Sequence, residues 1–186
     1  KREVAKSTME AAGAEPAVVD EGTATREPLP ISSQTDHVVL VGHGRVGRVV
    51  SAALRQAGTS LLVIEDDPGI IEQLREQGVD VISGNAAAPD MLQAANVGAA
   101  RGLLVAIPDA FEGGQIVAKA RGISASLPII ARAHSEEEVA HLKHHGATSV
   151  IMGEEEIAKA MLAQIAGGIV AILQQKPIEG SAPSAA

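Results

Sequence analysis

The residues of this chain whose types and spacing could do chemistry begin at Gly42-His43-Gly44-Arg45-Val46-Gly47. They follow an apolar run, Val38 to Val41, and precede a helical pattern, so they read as a strand, a tight turn and a helix start. Each glycine then has its own task. Gly42 lets the chain reverse sharply, Gly44 lets backbone approach a phosphate or diphosphate, and Gly47 lets the helix pack closely on the strand. Amide hydrogens at the helix start, at the positive end of its dipole, would face the anion. An acid, Glu65, closes the next apolar run 23 positions after Gly42. A carboxylate there can accept hydrogen bonds from ribose hydroxyls and repel a 2′-phosphate, so NAD, AMP or ADP is preferred to NADP. The competing readings are a purely structural Gly-rich turn and a Glu65 that only caps the turn beginning at Asp67.

Further candidates stand where other apolar runs end. Arg45 could pair bidentately with phosphate or with a carboxylate of a neighbouring chain, or be a solvated surface arginine. His43 could donate to phosphate or simply be exposed, and Asp66 is a weaker ribose candidate than Glu65. Gly84-Asn85-Ala86 follows the third run. There Asn85 could hold adenine or a ribose hydroxyl, or make a turn, as Asn does at strand ends. Ala106-Ile107 with Pro108-Asp109 could line a base or nicotinamide slot or form an ordinary loop. Arg132 and His134, at the exit of the fifth run, could complete a phosphate or regulatory-ligand site. His141, His144 and His145 have metal-like spacing, but Val139 and Leu142 mark the buried face of their helix and the histidines project roughly opposite. Without a carboxylate or Cys to complete a set, a solvated or partner-facing patch is expected and no metal site.

The elements that must position these residues alternate. Strand patterns run 38–42, 60–65, 79–83, 102–107, 128–133 and 148–152, each so continuously apolar that central strands are expected. Helix patterns lie at about 45–57, 68–77, 89–96, 111–121 and 135–145, closed by Gly58, Gly78, Gly98, Gly122 and Gly146 in the left-handed conformation. Starts are marked by Asp67-Pro68, by Pro89 at a first helical position and by a Ser135/Glu138 capping box. The resulting fold is α/β, a Rossmann-like doubly wound six-stranded parallel sheet, with its ligand crevice at the carboxyl ends of the strands where their order reverses.

A last helix runs from about Glu154 to Gln175. Its apolar residues, Ile157, Ala158, Met161, Leu162, Ile165, Ile169, Ile172 and Leu173, spread beyond the stripe needed to rest on one sheet, although Gly167-Gly168 should weaken it midway. Residues 154–175 are therefore expected to cross to a second copy and form a homodimer. Residues 1–35, interrupted by Pro16, Pro28 and Pro30, read as a flexible linker in which Ser7 to Ala12 could form a helical turn; 36–153 is the domain and 176–186 a disordered tail.

Composition narrows the function. One Phe and no Tyr or Trp leave no base-stacking platform for single-stranded nucleic acid, and a net charge of −8 repels a phosphate backbone. No Cys means no disulfide, thiolate nucleophile or Cys-ligated metal, in keeping with the cytosol. No apolar run approaches bilayer-spanning length and there is no signal peptide, so the visible chain reads as soluble; its start at Lys1 suggests excision from something longer.

The ordered set Val-Val-Leu-Val-Gly-His-Gly-Arg-Val-Gly, Val-Ile-Glu-Asp-Asp, Ile-Ser-Gly-Asn-Ala, Ile-Ile-Ala-Arg-Ala-His and Gly-Ala-Thr-Ser-Val-Ile-Met-Gly-Glu-Glu-Glu-Ile-Ala resembles the TrkA-N, or RCK N-lobe, domain over about residues 37–165. It is most similar to the version attached to Kef-type and YbaL-like monovalent cation:proton antiporters. The resemblance implies a non-catalytic cytoplasmic regulatory domain, C-terminal to a membrane antiporter on the cytoplasmic side of the inner membrane, that dimerises and binds AMP or NAD(H) to bias potassium or other monovalent cation transport. It places Gly42, Gly44, Arg45 and Gly47 on the phosphates, Glu65 on the ribose and Asn85 near the adenosine. Many relatives have Gly-Asp-Ala where this chain has Gly84-Asn85-Ala86, and the linker would be the tether to the membrane segment. The rival classes are a nicotinamide-dependent oxidoreductase, for which little chain remains after the sixth strand, and a structural dimerisation module with a vestigial pocket.

Overall fold

The computed structural model describes residues 29–175, with side chains described as far as Ile165. The expected linker and tail therefore fall outside the described residues, apart from 29–35. Those seven lie along the domain: Leu29 packs against the core, the Ser32 amide donates to the Ala94 carbonyl at 2.8 Å, and Asn96 Nδ2 donates to the Gln34 carbonyl at 2.9 Å.

Six parallel strands form one sheet: β1 (Val38–Val41), β2 (Leu61–Glu65), β3 (Asp80–Ser83), β4 (Gly102–Val105), β5 (Ile129–Ala133) and β6 (Ser149–Met152), in the order 3-2-1-4-5-6. The helices are α1 (Arg45–Gln56), α2 (Pro68–Glu76), α3 (Met91–Ala94), α4 (Ala110–Ile123), α5 (Glu136–His144) and α6 (Gly153–Gln175). The chain moves outward from β1 to β3 and then returns to lay β4 on the other flank of β1. Val41 therefore sits opposite Ile64 on one side and Val105 on the other. Its strand end is the switch point, where the connections leave in opposite directions and open a crevice.

Residue alternation divides the core in two. Val39, Val41, Leu62, Ile64, Leu103, Val105, Ile129 and Ala131 point to one face, beneath Ile116, Val117 and Leu142 of α4 and α5. Val38, Leu40, Leu61 and Val63 point to the other, where Leu74 of α2 and Val50 and Leu54 of α1 cover them. The expectation of six central strands needs correction, since an open sheet has two edges: β3 and β6 occupy them, and none of their residues is fully buried. In β3, Ile82 and Val81 pack partly buried on the two opposite faces, whereas in β6 Val150 packs on one face and Ile151 on the other is 43% exposed.

Several local expectations also change. Asp67 does cap α2, accepting from the Gly69 and Ile70 amides, with Pro68 at the first helical position. The 89–96 helix shrinks to α3 followed by a 3-10 turn at Val97–Ala99, because Asp90 takes a left-handed φ of 64° and Pro89 lies outside the helix. Gly58, Gly78 and Gly146 are left-handed as expected. Gly98 instead lies within the 3-10 turn and Gly122 within α4, which runs on to Ile123. The capping box at α5 is half formed: Ser135 Oγ accepts from the Glu138 amide, while Glu138 Oε2 accepts from the His134 amide, one residue before the cap.

The histidine patch is also corrected. His144 is exposed, but His141 and His145 are half-buried against α4, their rings 4.3 Å apart. A Cβ built on Gly114 would meet His141 Nε2 at 2.4 Å. That small residue on α4 makes room for two imidazoles, a packing partner invisible from the periodicity of α5 alone. Among the described residues no group of three or more His, Cys, Asp or Glu is placed to hold a metal ion.

Candidate functional site

The turn after β1 has the geometry its glycines require. Gly42 adopts φ +86°, and a Cβ there would meet Ile107 Cγ2 at 2.8 Å. At Gly47 a Cβ would lie 2.1 Å from the Gly42 carbonyl oxygen, so the tight approach is between the helix and its own turn rather than the strand. Gly44 differs from both: nothing comes within 4 Å of a Cβ built there. Open space thus lies over Gly44, the glycine whose expected task is to let backbone approach a phosphate.

Gly44 is also the N-cap of α1, and no side chain caps that helix or places an acid in its first turn. By contrast, α2, α4 and α5 are capped by Asp67, Asp109 and Ser135. Every helix start presents amide hydrogens that need an acceptor. At α1 they face the crevice without one from a side chain, next to the positive end of the dipole.

The crevice is a cleft of about 520 Å³ lined by Gly42, Gly44, Arg45, Glu65, Asp66, Ile70, Ala106, Ile107, Pro108, Arg132 and His134. That volume suits a small-molecule ligand. Eight of these were expected from sequence at a ligand; Ala106 and His134 stood beside them, while Ile70 was missed. Ile70 follows the end of β2 by one cap and one turn, which was the signal that could have found it. Among the described residues neither Arg45 nor Arg132 pairs with a carboxylate. Arg132 Nη2 instead lies 3.0 Å from His134 Nε2.

Glu65 is buried at the cleft wall, and its carboxylate already holds backbone. Oε2 accepts from the His43 amide at 2.6 Å, and Oε1 from the Asp66 and Asp67 amides at 2.9 and 3.1 Å. One side chain thus ties the glycine turn to the end of β2. It also caps the following turn, the competing role considered from sequence. Burial pushes the Glu65 carboxyl up, but the three amide donors outweigh it and hold it below its ordinary 4.5. Next to it Asp66 is raised, first by burial and then by the Glu65 carboxylate.

His43 is buried rather than exposed, and burial lowers its pKa, with Glu65 partly opposing and Arg48 and Arg55 reinforcing. Its ring is therefore neutral near pH 7, and the positive charge at the turn belongs to Arg45. Because the Glu65 carboxyl is depressed in the fold, its stabilising contribution is complete above the ordinary carboxylate range. It is lost as pH falls through the lower folded value, with the raised Asp66 offsetting part of it. Urea midpoints measured from about pH 6 down to about pH 3 should fall, and the slope should flatten in Glu65→Gln.

Gly84, Asn85 and Ala86 open onto an adjoining recess of about 40 Å³ shared with Glu65, Asp66, Glu112 and Ile116. Asn85 makes the turn itself: its Oδ1 accepts from the Ala87 amide at 2.6 Å, while Nδ2 donates to Glu112 Oε1 at 2.5 Å across the recess. Glu112, in the first turn of α4, was missed from sequence. Val46 stands outside the cleft, 40% exposed on the opposite flank of α1. A broader depression of about 620 Å³ runs between α4 and α5, lined by Pro108, Asp109, Phe111, Glu137, Glu138 and His141. Three carboxylates and no arginine or lysine make it a poor seat for an anion.

Strand order, crevice and glycine turn together define a Rossmann-like domain of the doubly wound type. The chain belongs to the TrkA-N domain family, whose pattern residues 38–153 match. It is 40% identical over 144 residues to the putative cation/proton antiporter YbaL of Escherichia coli K12, an alignment covering 77% of this chain and 26% of that protein. The crystal structure of the TrkA-N domain of E. coli YbaL superposes with a TM-score of 0.69 at 41% identity, covering 72% of this chain and 98% of that one. The Kef C-terminal domain of Shewanella denitrificans, solved in an AMP-bound form, superposes with a TM-score of 0.57 at 26% identity, covering 74% and 92%. This chain spans about a quarter of the length of the curated relatives it matches. No described helix is long and apolar enough to cross a membrane.

Proposed function

We propose that this chain is the cytoplasmic regulatory domain of a monovalent cation:proton antiporter and that AMP or NAD(H) binds in the crevice to bias transport. The observation that carries this reading is the start of α1, uncapped by any side chain and open above Gly44, with Arg45 and Arg132 at the same cleft and, among the described residues, no carboxylate against either. A phosphate there receives backbone N–H donors and two guanidinium groups. Glu65 stands on the wall where the sugar follows. It has lone-pair capacity beyond its three amide donors, and its charge disfavours a 2′-phosphate. Asn85 and Glu112 border the adenosine side, where the purine must displace their mutual hydrogen bond because the recess is far smaller than a base.

The relatives support both halves of the proposal: YbaL, a putative cation/proton antiporter, the transporter half, and the Kef domain solved with AMP, the nucleotide half. Residues 36–153 would sense the nucleotide, the segment before residue 29 would tether the domain to the membrane part of a parent chain, with 29–35 packed along the domain, and 154–175 would join two copies in a homodimer. The role is regulatory rather than catalytic. A nucleotide biases transport only if it binds the transporter's states with different affinities.

Thermal denaturation with a panel of AMP, ADP, NAD, NADH and NADP at millimolar concentration tests the sensor. Ligand at about 100 times its Kd adds about 2.7 kcal/mol. That corresponds to a rise in midpoint of roughly 5–10 °C for a chain of this size. AMP or NAD(H) should produce such a rise and NADP should not. No shift from any of the five would refute the proposal.

A further inference from the structure

The connection that carries the chain from β3 back to β4 is built unlike the other four. Those are helices of 9 to 14 residues, whereas this one holds only the single turn of α3 and a 3-10 turn. Its two ends are engaged with different parts of the molecule. At the crevice end, Gly84 to Ala86 wall the adenosine recess, and Met91 packs against that wall: a Cβ built on Gly84 would meet Met91 Cε at 3.2 Å. At the other end, residues 94–99 hold the segment that leads into β1. The Ser32 and Asp36 amides donate to the Ala94 and Ala99 carbonyls at 2.8 and 2.9 Å, and the fully buried His37 donates from Nε2 to the Ala95 carbonyl at 2.9 Å. Asn96 Nδ2 returns a bond to the Gln34 carbonyl at 2.9 Å, which completes a clasp.

We propose that this connection is a lever setting nucleotide against tether: a purine entering the recess displaces residues 84–91, and α3 with them, and so loosens the clasp at residues 94–99. The proposal rests on the nucleotide reading of the crevice given above and adds how occupancy reaches the segment that enters the domain. A recess of about 40 Å³ cannot hold a base as it stands, so one of its walls has to yield. The walls differ in what holds them. Val41 and Ile64 are buried strand residues with a ladder partner on each side, and Ile116 is fully buried within the 14 residues of α4. Gly84 to Asp90 belongs to no helix or strand, and the side-chain bonds tying it to α4, from Asn85 to Glu112 and from Lys119 to the Ala87 carbonyl, are exposed. That wall is the one that gives. Because Met91 opens the same helical turn that ends at Ala94, a packed unit of four residues carries the displacement from the recess to the clasp. Such coupling is reciprocal, so a chain whose clasp is cut binds AMP more tightly. Bonds that served stability alone would leave binding equal or weaker when lost.

Asn96→Gly removes the side-chain donor at a residue whose φ of 50° suits glycine, and Ser32→Pro removes an amide donor. Isothermal titration of the full chain with AMP and NAD, and with ribose 5-phosphate, which has no base to open the recess, reads the coupling. Amide hydrogen exchange followed residue by residue reads the clasp. The double variant is expected to bind the adenine nucleotide about fivefold more tightly than the wild type, with no such gain for ribose 5-phosphate. In the wild type, saturating nucleotide should speed exchange at the Ser32 and Asp36 amides by about fivefold or more. Equal or weaker nucleotide binding in the variant, an equal gain for ribose 5-phosphate, or exchange at those amides unchanged or slowed overturns the lever and leaves the nucleotide site standing. The exchange measurement uses the unaltered chain and decides alone where a variant fails to fold. A wild type that binds neither AMP nor NAD overturns the site and the lever together.

Discussion

Gly47→Ala is expected to lower the thermal midpoint sharply and to abolish nucleotide binding with it. The added methyl would lie 2.1 Å from the Gly42 carbonyl oxygen, a distance at which backbone must move. Neither side yields easily: Gly47 is buried in the first turn of α1, and Gly42 is fixed at φ +86° against Ile107. Overpacking against backbone costs about 3 kcal/mol or more, a drop of at least roughly 6–12 °C in a domain of this size. Moving the turn also moves the amides that would face the phosphate. Gly44→Ala separates the two effects, because its methyl meets nothing within 4 Å and its φ of −70° is open to alanine. Its stability should change by about 1 kcal/mol or less, while the methyl occupies the phosphate's approach and weakens AMP at least tenfold. Calorimetry and isothermal titration on both variants check the contrast.

The second large effect is at Glu65. Glu65→Ala removes the acceptor of three amides, those of His43, Asp66 and Asp67. The His43 amide, in a buried bond, is left without a partner at a cost of about 1–3 kcal/mol, whereas the exposed Asp66 and Asp67 can turn their amides to water, so the fold should suffer as well as the ligand. Glu65→Gln keeps one oxygen as an acceptor and loses the charge; its NH2 must face either the His43 amide or those of Asp66 and Asp67, so it disturbs the turn less than alanine while testing the charge. It should weaken NAD and AMP about tenfold, or about 1.4 kcal/mol, and narrow the preference against NADP because the charge repelling a 2′-phosphate is gone. If the glutamine variant binds all of these as the wild type does, Glu65 serves the turn alone.

These two sites also show how far the sequence could be read. Gly42-x-Gly44-x-x-Gly47 and Glu65 were legible because their demands are local: one strand, one turn, one helix start and a fixed distance to the next strand end. The parallel six-stranded sheet was legible for the same reason, since each strand and helix carried its own pattern and punctuation. What failed depended on neighbours far along the chain. The edge positions of β3 and β6 follow from strand order, not from their apolar runs. His141 and His145 are half-buried because Gly114, on another helix, leaves room for them. Asn85 faces Glu112, 27 residues on, a pairing that no spacing rule supplies. Arg121 escaped notice altogether. It donates to the carbonyls of Leu127 and Gly146 and to Thr148, fastening α4 to both connections beside β5.

Within the cleft, position alone identified the residues after each strand, but not what they do there. Arg132 was placed correctly at the exit of β5, whereas its contact with His134 needed coordinates. Glu65 was expected to await a sugar, yet it also builds the turn that would hold the phosphate. That double duty arises because the ends of β1 and β2 are in register, with Val41 opposite Ile64, so the next residue of β2 meets the next turn of β1.

The most direct test of the central claim is an amide proton–nitrogen correlation spectrum of the full chain titrated with AMP. Anion capture by the start of α1 predicts saturable shifts at the amides of Gly44, Arg45, Val46 and Gly47, with smaller ones at Asp66 and Arg132, all suppressed in Gly44→Ala. A spectrum unchanged at millimolar AMP, or shifts confined to the depression between α4 and α5, would contradict it.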